Sequence, residues 1–373
     1  MRPANIFYLG VKELRSLVQD PVMLALILFA FSFAIYTAAK ALPQTLNKAP
    51  IAIVDEDRSP LSARIASAFY PPYFVAPVMI GQAGMDARMD AGLATFALNI
   101  PPDFQRDVLA GRTPTLQLNV DATRMSQAFA GSGYVQAIAA SEVREFVQRQ
   151  RGSPPPPVDL VIRARFNPEL NEAWFGSVME LVNNITMLSI VLTGAALIRE
   201  REHGTVEHLL VMPVTPFEIM TSKVWAMALV VLSACAASMF FVIEGALAVP
   251  LAGSRLLFLA AAAALLFATT SMGIFLGTLA RSMPQFGMLL LMVLLPLEIL
   301  SGGTSPRESM PPVIQFIMQA APNTHFVMLS QAVLYRGAGL DVVWPEFIKI
   351  AGIGLILFSL SLARFRRTIG EMV

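Results

Sequence analysis

Long apolar runs alternate with charged islands along this chain. The runs cover residues 21–42, 176–198, 224–249, 256–280, 286–302 and 347–362. At a rise of ~1.5 Å per residue, such runs are the kind that cross a hydrocarbon core ~30 Å thick. The pattern therefore predicts six membrane spans. Residues 5–20 differ: Ile6, Leu9, Leu14, Leu17 and Val18 recur at helical spacing among Lys12, Glu13 and Arg15. That spacing suits an amphipathic helix lying on a membrane surface just before the first span. Residues 310–334 are apolar but broken by Pro311, Pro312 and Pro322, which predicts a re-entrant or surface-lying helix and no seventh span.

Between the first and second runs the period changes. Strands are predicted at 50–54, 95–100 and 115–120, and Val158, Leu160, Ile162, Ala164 and Phe166 alternate as in a fourth. Helices are predicted at 59–70, 104–110 and 125–151, with Gly131 and Gly133 as weak points in the last. Strands alternating with helices argue for one compact α/β domain. The fold class is thus a membrane all-α bundle of six transmembrane helices with an inserted α/β extracytoplasmic domain. The expected divisions are an interface helix at 1–20, a first span at 21–42 and the α/β domain at 43–175. A five-helix membrane domain at 176–373 follows, with a loop at 199–223.

Composition supports a membrane protein. The 373 residues are 55% hydrophobic and 14% charged, with mean hydropathy +0.61. A net charge of +1 gives no sign of a nucleic-acid partner. Cys235 is the single cysteine, so an intrachain disulfide and a cysteine-based metal site are both excluded. Arg2, Lys12, Arg15, Arg199, Arg201, Lys223, Arg281, Arg364, Arg366 and Arg367 fall on one side of a six-span topology. That side, with both termini, is expected to be cytoplasmic.

The island at 199–223 carries the most informative local pattern. Gly204 permits a break, Thr205 caps a short helix, and Glu207 sits in its first turn, where the helix dipole favours an anion. Val206, Leu209 and Leu210 give that helix an apolar face before Pro213 stops it. Thr215-Pro216-Phe217-Glu218 then reads as a capping box opening the next helix. Glu202-His203 and Glu207-His208 suggest zinc, but their spacing separates the two rings around a helix, and solvated loop histidines fit better. No phosphate-binding Gly-x-x-x-x-Gly-Lys-Ser/Thr loop occurs. Glu180, Glu244 and Glu298 lie in or near apolar runs, with Asn183 and Asn184 one turn after Glu180. Such carboxylates line a solute pathway or snorkel to the nearer interface, and both readings stand at this level.

The run Glu200-Arg201-Glu202-His203-Gly204-Thr205-Val206-Glu207-His208-Leu209-Leu210, followed by Pro213 and Thr215, resembles the cytoplasmic loop of ABC-2-type transport permeases. Phe166-Asn167-Pro168, Ala280-Arg281-Ser282-Met283-Pro284-Gln285, Ser301-Gly302-Gly303 and Pro306-Arg307-Glu308-Ser309-Met310-Pro311 resemble the YhhJ-like bacterial inner-membrane permeases. The resemblance implies a non-enzymatic permease subunit of an exporter, paired with a second permease copy or paralogue. It implies that ATP and Mg are bound by a separate ATP-binding subunit, with no cofactor in this chain, and that a periplasmic membrane-fusion protein can accompany the pair. Glu202, Gly204, Thr205, Glu207, Leu209, Leu210 and Pro213 would form the coupling contact to the ATPase. Two other classes remain as alternatives: a membrane-anchored sensor or scaffold with a periplasmic ligand-binding domain, and a membrane metalloprotease, for which the three histidines supply no ligand set.

Overall fold

A computed structural model describes residues 2–41, 46, 48–121, 125–151, 172–202, 214–303 and 307–370. The chain divides into two compact units, residues 42–163 and the remainder. In the larger unit, six helices are long and apolar enough to cross a membrane. They are Pro21–Lys40, Trp174–Glu202, Pro216–Ala246, Arg255–Leu279, Met283–Leu300 and Leu340–Arg367, called here the first to sixth spans. Helix α1, Pro3–Val18, precedes them with its proline in the first turn, where the missing N–H costs nothing. Asp20 opens the first span by accepting from the N–H groups of Val22 and Met23, both at 3.1 Å.

The spans begin and end differently from the apolar runs that reveal them. The third starts at Pro216 because the Thr215–Glu218 capping box closes there in both directions. The sixth starts at Leu340 and carries Pro345 in its first turns. The second and fourth spans form the centre. Their backbones approach where Gly194, Gly273 and Gly277 meet, and a Cβ on Gly273 would lie 2.6 Å from the Ile190 carbonyl oxygen. Two spans contain π-helical turns, Ala30–Ala34 in the first and Met239–Ala246 in the third. A π turn takes carbonyls out of the regular ladder, and Asn184 of the second span donates to the Ala30 carbonyl at 2.8 Å.

The smaller unit is built on a four-stranded sheet in the order β2-β1-β3-β4. The strands are β1 Ile51–Asp55, β2 Val78–Ile80, β3 Phe96–Ile100 and β4 Gln117–Val120. β1 pairs in parallel with β2 and β3, whereas β4 runs antiparallel to β3. β1 and β3 are buried almost throughout, which explains their near-continuous apolar sequence. β2 is three residues long and mostly exposed, too short for a periodic signal, and the sequence reading passes over it. The helices are α2 Pro60–Ser67, α3 Met85–Asp90, α4 Phe104–Leu109 and α5 Met125–Arg151. Gly131 does not weaken α5; it lies against Phe96 and Leu46, where a side chain would clash. The alternating stretch at 158–166 lies outside the described residues.

Between the fifth and sixth spans, the proline-broken stretch folds as α6, Pro312–Met318, and α7, Pro322–Leu334. At 13 residues, α7 is too short to cross a bilayer. Its residues are nearly all buried, so the surface-lying alternative does not describe it. Asn323 explains how a polar helix start is accommodated inside. Its amide donates to the Leu297 carbonyl (3.0 Å) and Ser301 Oγ (3.1 Å), and its oxygen accepts from Thr186 Oγ1 (2.8 Å). A second buried hydroxyl pair, Ser189 to Thr269 at 2.6 Å, joins the second span to the fourth.

Candidate functional site at the charged end of the second span

The second span ends in Arg199-Glu200-Arg201-Glu202, immediately before residues 203–213, which lie outside the described set. Successive helical residues point ~100° apart, so four charged residues in a row fan around the axis. Each finds a different partner. Arg199 pairs with Asp20, between α1 and the first span. Glu200 meets Lys12 of α1 at 2.6 Å and Lys223 of the third span at 2.7 Å. Arg201 donates to the Ala280 carbonyl, just past the fourth span, at 2.7 Å. Glu202 accepts from the N–H of Met283, the first residue of the fifth span, at 3.1 Å. One helix end thereby holds α1 and four other spans.

Lys223 is the centre of this cluster. Its ammonium also contacts Glu13 at 2.9 Å, and its side chain is 2% exposed. With Lys12 it forms a neutral quartet of two ammonium groups and two carboxylates. That balance is what makes burial tolerable, because an isolated charge would cost several kcal/mol or more there. The sequence reading placed Lys223 on the wet, positive side; the structure buries it, since Glu13 and Glu200 arrive from two other helices. A cavity of about 290 Å³ adjoins the quartet, lined in part by Ser16, Ala196 and Met227. The Lys12 ammonium is held above its ordinary value: partial burial works against it, and the carboxylates of Glu200 and Glu13 outweigh that. The Asp20 carboxyl is held below its ordinary value, chiefly by the Met23 N–H, with Arg199 adding to it.

The far side of residues 203–213 is anchored as well. Glu218 closes the capping box with Thr215 and also accepts from the Arg2 N–H at 2.7 Å. Trp225 stacks on Phe7 and donates from its ring to the Ile6 carbonyl at 3.2 Å. Gly10 leaves room for that ring, and a Cβ there would collide with it.

Of the residues expected to couple to an ATPase, Glu202 is the one the structure describes, and it is engaged inside the chain. Gly204, Thr205, Glu207, Leu209, Leu210 and Pro213 lie outside the described residues. Of the expected pathway residues, Glu180 lies one turn before Asn184 and is an electrostatic neighbour of Glu298, so these three come together. Asn183 is half-buried beside them. Glu244 does not join them in a shared contact; Arg255, at the start of the next span, pairs with it at 2.6 Å. The connection between the two helices is short, and 11 positions separate the two charges. His325 was not singled out by the sequence. It is buried, with Nδ1 at 2.6 Å from Glu346 and Nε2 at 2.9 Å from the Gln319 carbonyl. A carbonyl only accepts, so Nε2 carries a proton. Quartet and histidine alike were invisible in sequence because their partners lie 21 to 210 positions away.

Residues 22–363 match the family described as ABC-2 family transporter protein. The chain is 60% identical over 368 residues to the inner membrane transport permease YhhJ of Escherichia coli strain K12, covering 99% of this chain and 98% of that one. It is 28% identical to the probable multidrug ABC transporter permease YbhR of the same strain, over 96% of this chain and 97% of that one. It is 26% identical to the probable multidrug permease YbhS, over 88% of each chain. Placed beside six helices fit to span a membrane, these likenesses define a multi-span transport permease. The chain belongs to the ABC-2 family of transporter proteins, within its YhhJ-like group.

Proposed function

We propose that this chain is the membrane subunit of an ATP-driven exporter in the bacterial inner membrane. Two permease chains, identical or paralogous, form the pathway, and a separate ATP-binding subunit supplies ATP and Mg. Both termini and residues 203–213 face the cytoplasm, while the α/β unit lies on the opposite side, where a membrane-fusion protein joins the assembly. The observation that carries this reading is the set of grips made by Arg199, Glu200, Arg201 and Glu202. A push on residues 203–213 enters the second span at a point tied to α1 and to the first, third, fourth and fifth spans. Displacement there moves several helices together, as alternating access requires. The cargo path runs past Glu180, Asn184 and Glu298. Names of the relatives YbhR and YbhS, each a probable multidrug permease, support a cargo of small, chemically varied molecules.

The test is Leu209→Asp in full-length protein co-expressed with its native ATPase. Burying a leucine side chain at a protein contact stabilises it by about 1.5–3 kcal/mol, so a charge there lowers affinity more than ~tenfold. The variant is expected to insert normally and to lose both the ATPase and transport. Wild-type ATPase stoichiometry with normal transport would overturn the coupling assignment.

A further inference from the structure

The α/β unit carries a groove of about 750 Å³, open to solvent on one side, between α4, the β3–β4 pair and α5. Its origin can be read from residue size. On α5, Ser132, Gln136, Ala139 and Ala140 share the face that looks into the groove, with Gly133 beside them. Four of these five are Ser, Gly or Ala. Elsewhere on the same helix, Ile138, Phe146 and Val147 fill the core in the ordinary way. Helix α5 is thus packed by large residues along one strip and held open by small ones along the next. The groove opens to solvent at Gly133, Gln136 and Ala140, and larger side chains at 139 and 140 would narrow it.

The chemistry of the lining defines what fits. Leu98, Phe104 and Val135 form a dry floor, each 3% exposed or less. Arg112 is the charged residue in the lining, and its guanidinium is occupied by Asp107 at 2.6 Å. No net charge is therefore offered to a ligand. Gln136, exposed to solvent at the open side, offers a carboxamide with one donor group and one acceptor. The volume lies within the ~300–1,000 Å³ typical of small-molecule sites, and a few polar groups over an apolar floor are the usual lining of such sites.

We propose that the α/β unit binds an uncharged lipophilic small molecule in this groove, its polar end hydrogen-bonded to Gln136. This site is independent of the transport reading and of the residues in the membrane unit.

The full chain in lipid nanodiscs is photolabelled with 3-phenyl-3-(trifluoromethyl)diazirine bearing a hydroxymethyl group, and adducts are mapped by peptide mass spectrometry. Adducts are expected on peptides from α4, β4 and α5 above the level of other peptides of the unit. Ala140→Trp and Ala139→Leu are expected to reduce them at least fivefold while labelling of the membrane spans, from probe dissolved in lipid, stays constant. A folding defect would show as a lower thermal midpoint, whereas filling the groove leaves the midpoint equal or higher. Gln136→Leu is expected to weaken labelling by the hydroxymethyl probe and to spare labelling by the parent diazirine. Groove peptides labelled no more than their neighbours, as when another protein segment fills the space, would overturn the proposal. So would labelling that persists unchanged in both filled variants with normal midpoints.

Discussion

The charged quartet at the end of the second span and the polar seam farther along the same helix solve one problem in two ways. Each joins the second span to other helices through buried polar groups. At the end, full charges do it: Lys12, Glu13, Glu200 and Lys223. In the middle, neutral groups do it: Thr186, Ser189, Thr269 and Asn323. Position explains the difference. Near a helix end, Lys12 is half-exposed and keeps the cluster in touch with water, so charges are affordable and hold firmly when balanced. At mid-span depth no water offsets a mismatch, and hydroxyls and amides carry a smaller penalty if a bond is lost.

The largest effect should follow from unbalancing the quartet. Lys223→Met leaves two carboxylates, Glu13 and Glu200, sharing the one ammonium of Lys12, and breaking a buried pair in this way costs about 3–5 kcal/mol. The purified variant should melt well below wild type in detergent. Adding Glu13→Gln should recover most of the loss, because Lys12 and Glu200 then balance each other. A single variant with a wild-type midpoint would show that the quartet is not a structural unit.

A smaller effect is expected at Asp20, at the quartet's edge. Asp20→Ala removes a cap worth about 1 kcal/mol, together with the Arg199 pair. Because the folded carboxyl is held below its ordinary value, its contribution is present above the unfolded carboxylate pKa of ~3.9 and is lost as pH falls through the folded value. The gap in thermal midpoint between wild type and variant should therefore be constant from pH 7 to about pH 5 and close at more acidic pH. A gap that widens on acidification would contradict the assigned partners.

The smallest effect belongs to the seam. Thr186→Val keeps the shape and deletes one bond to Asn323. Hydrogen bonds between membrane helices average about 0.6 kcal/mol, so the midpoint should shift by little more than the error of the measurement. A loss as large as that of Lys223→Met would erase the contrast between the two regions.

Much of this architecture was written in local patterns. Apolar run length marked all six spans, the Thr215–Glu218 box marked the start of the third, and short continuous apolar runs marked β1 and β3. Each rests on neighbours within a few residues. Other features had no local signature. β2 is too short to show a period, and Lys223 looks like any basic residue flanking a span. His325 shows nothing of Glu346 until α7 is packed on the sixth span.

Taken alone, then, the amino-acid order determined the spans, their approximate ends, the α/β character of the inserted stretch and the family. It could do so because hydrophobic length, capping and alternation act over one or two turns. Tertiary structure decided which charges are buried, which glycines mark the closest helix approach and where a small-residue face leaves a groove. Those outcomes depend on partners brought from as far as 219 positions away, as Trp225 and Ile6 are, and on balances of charge and volume that exist only once the helices have met.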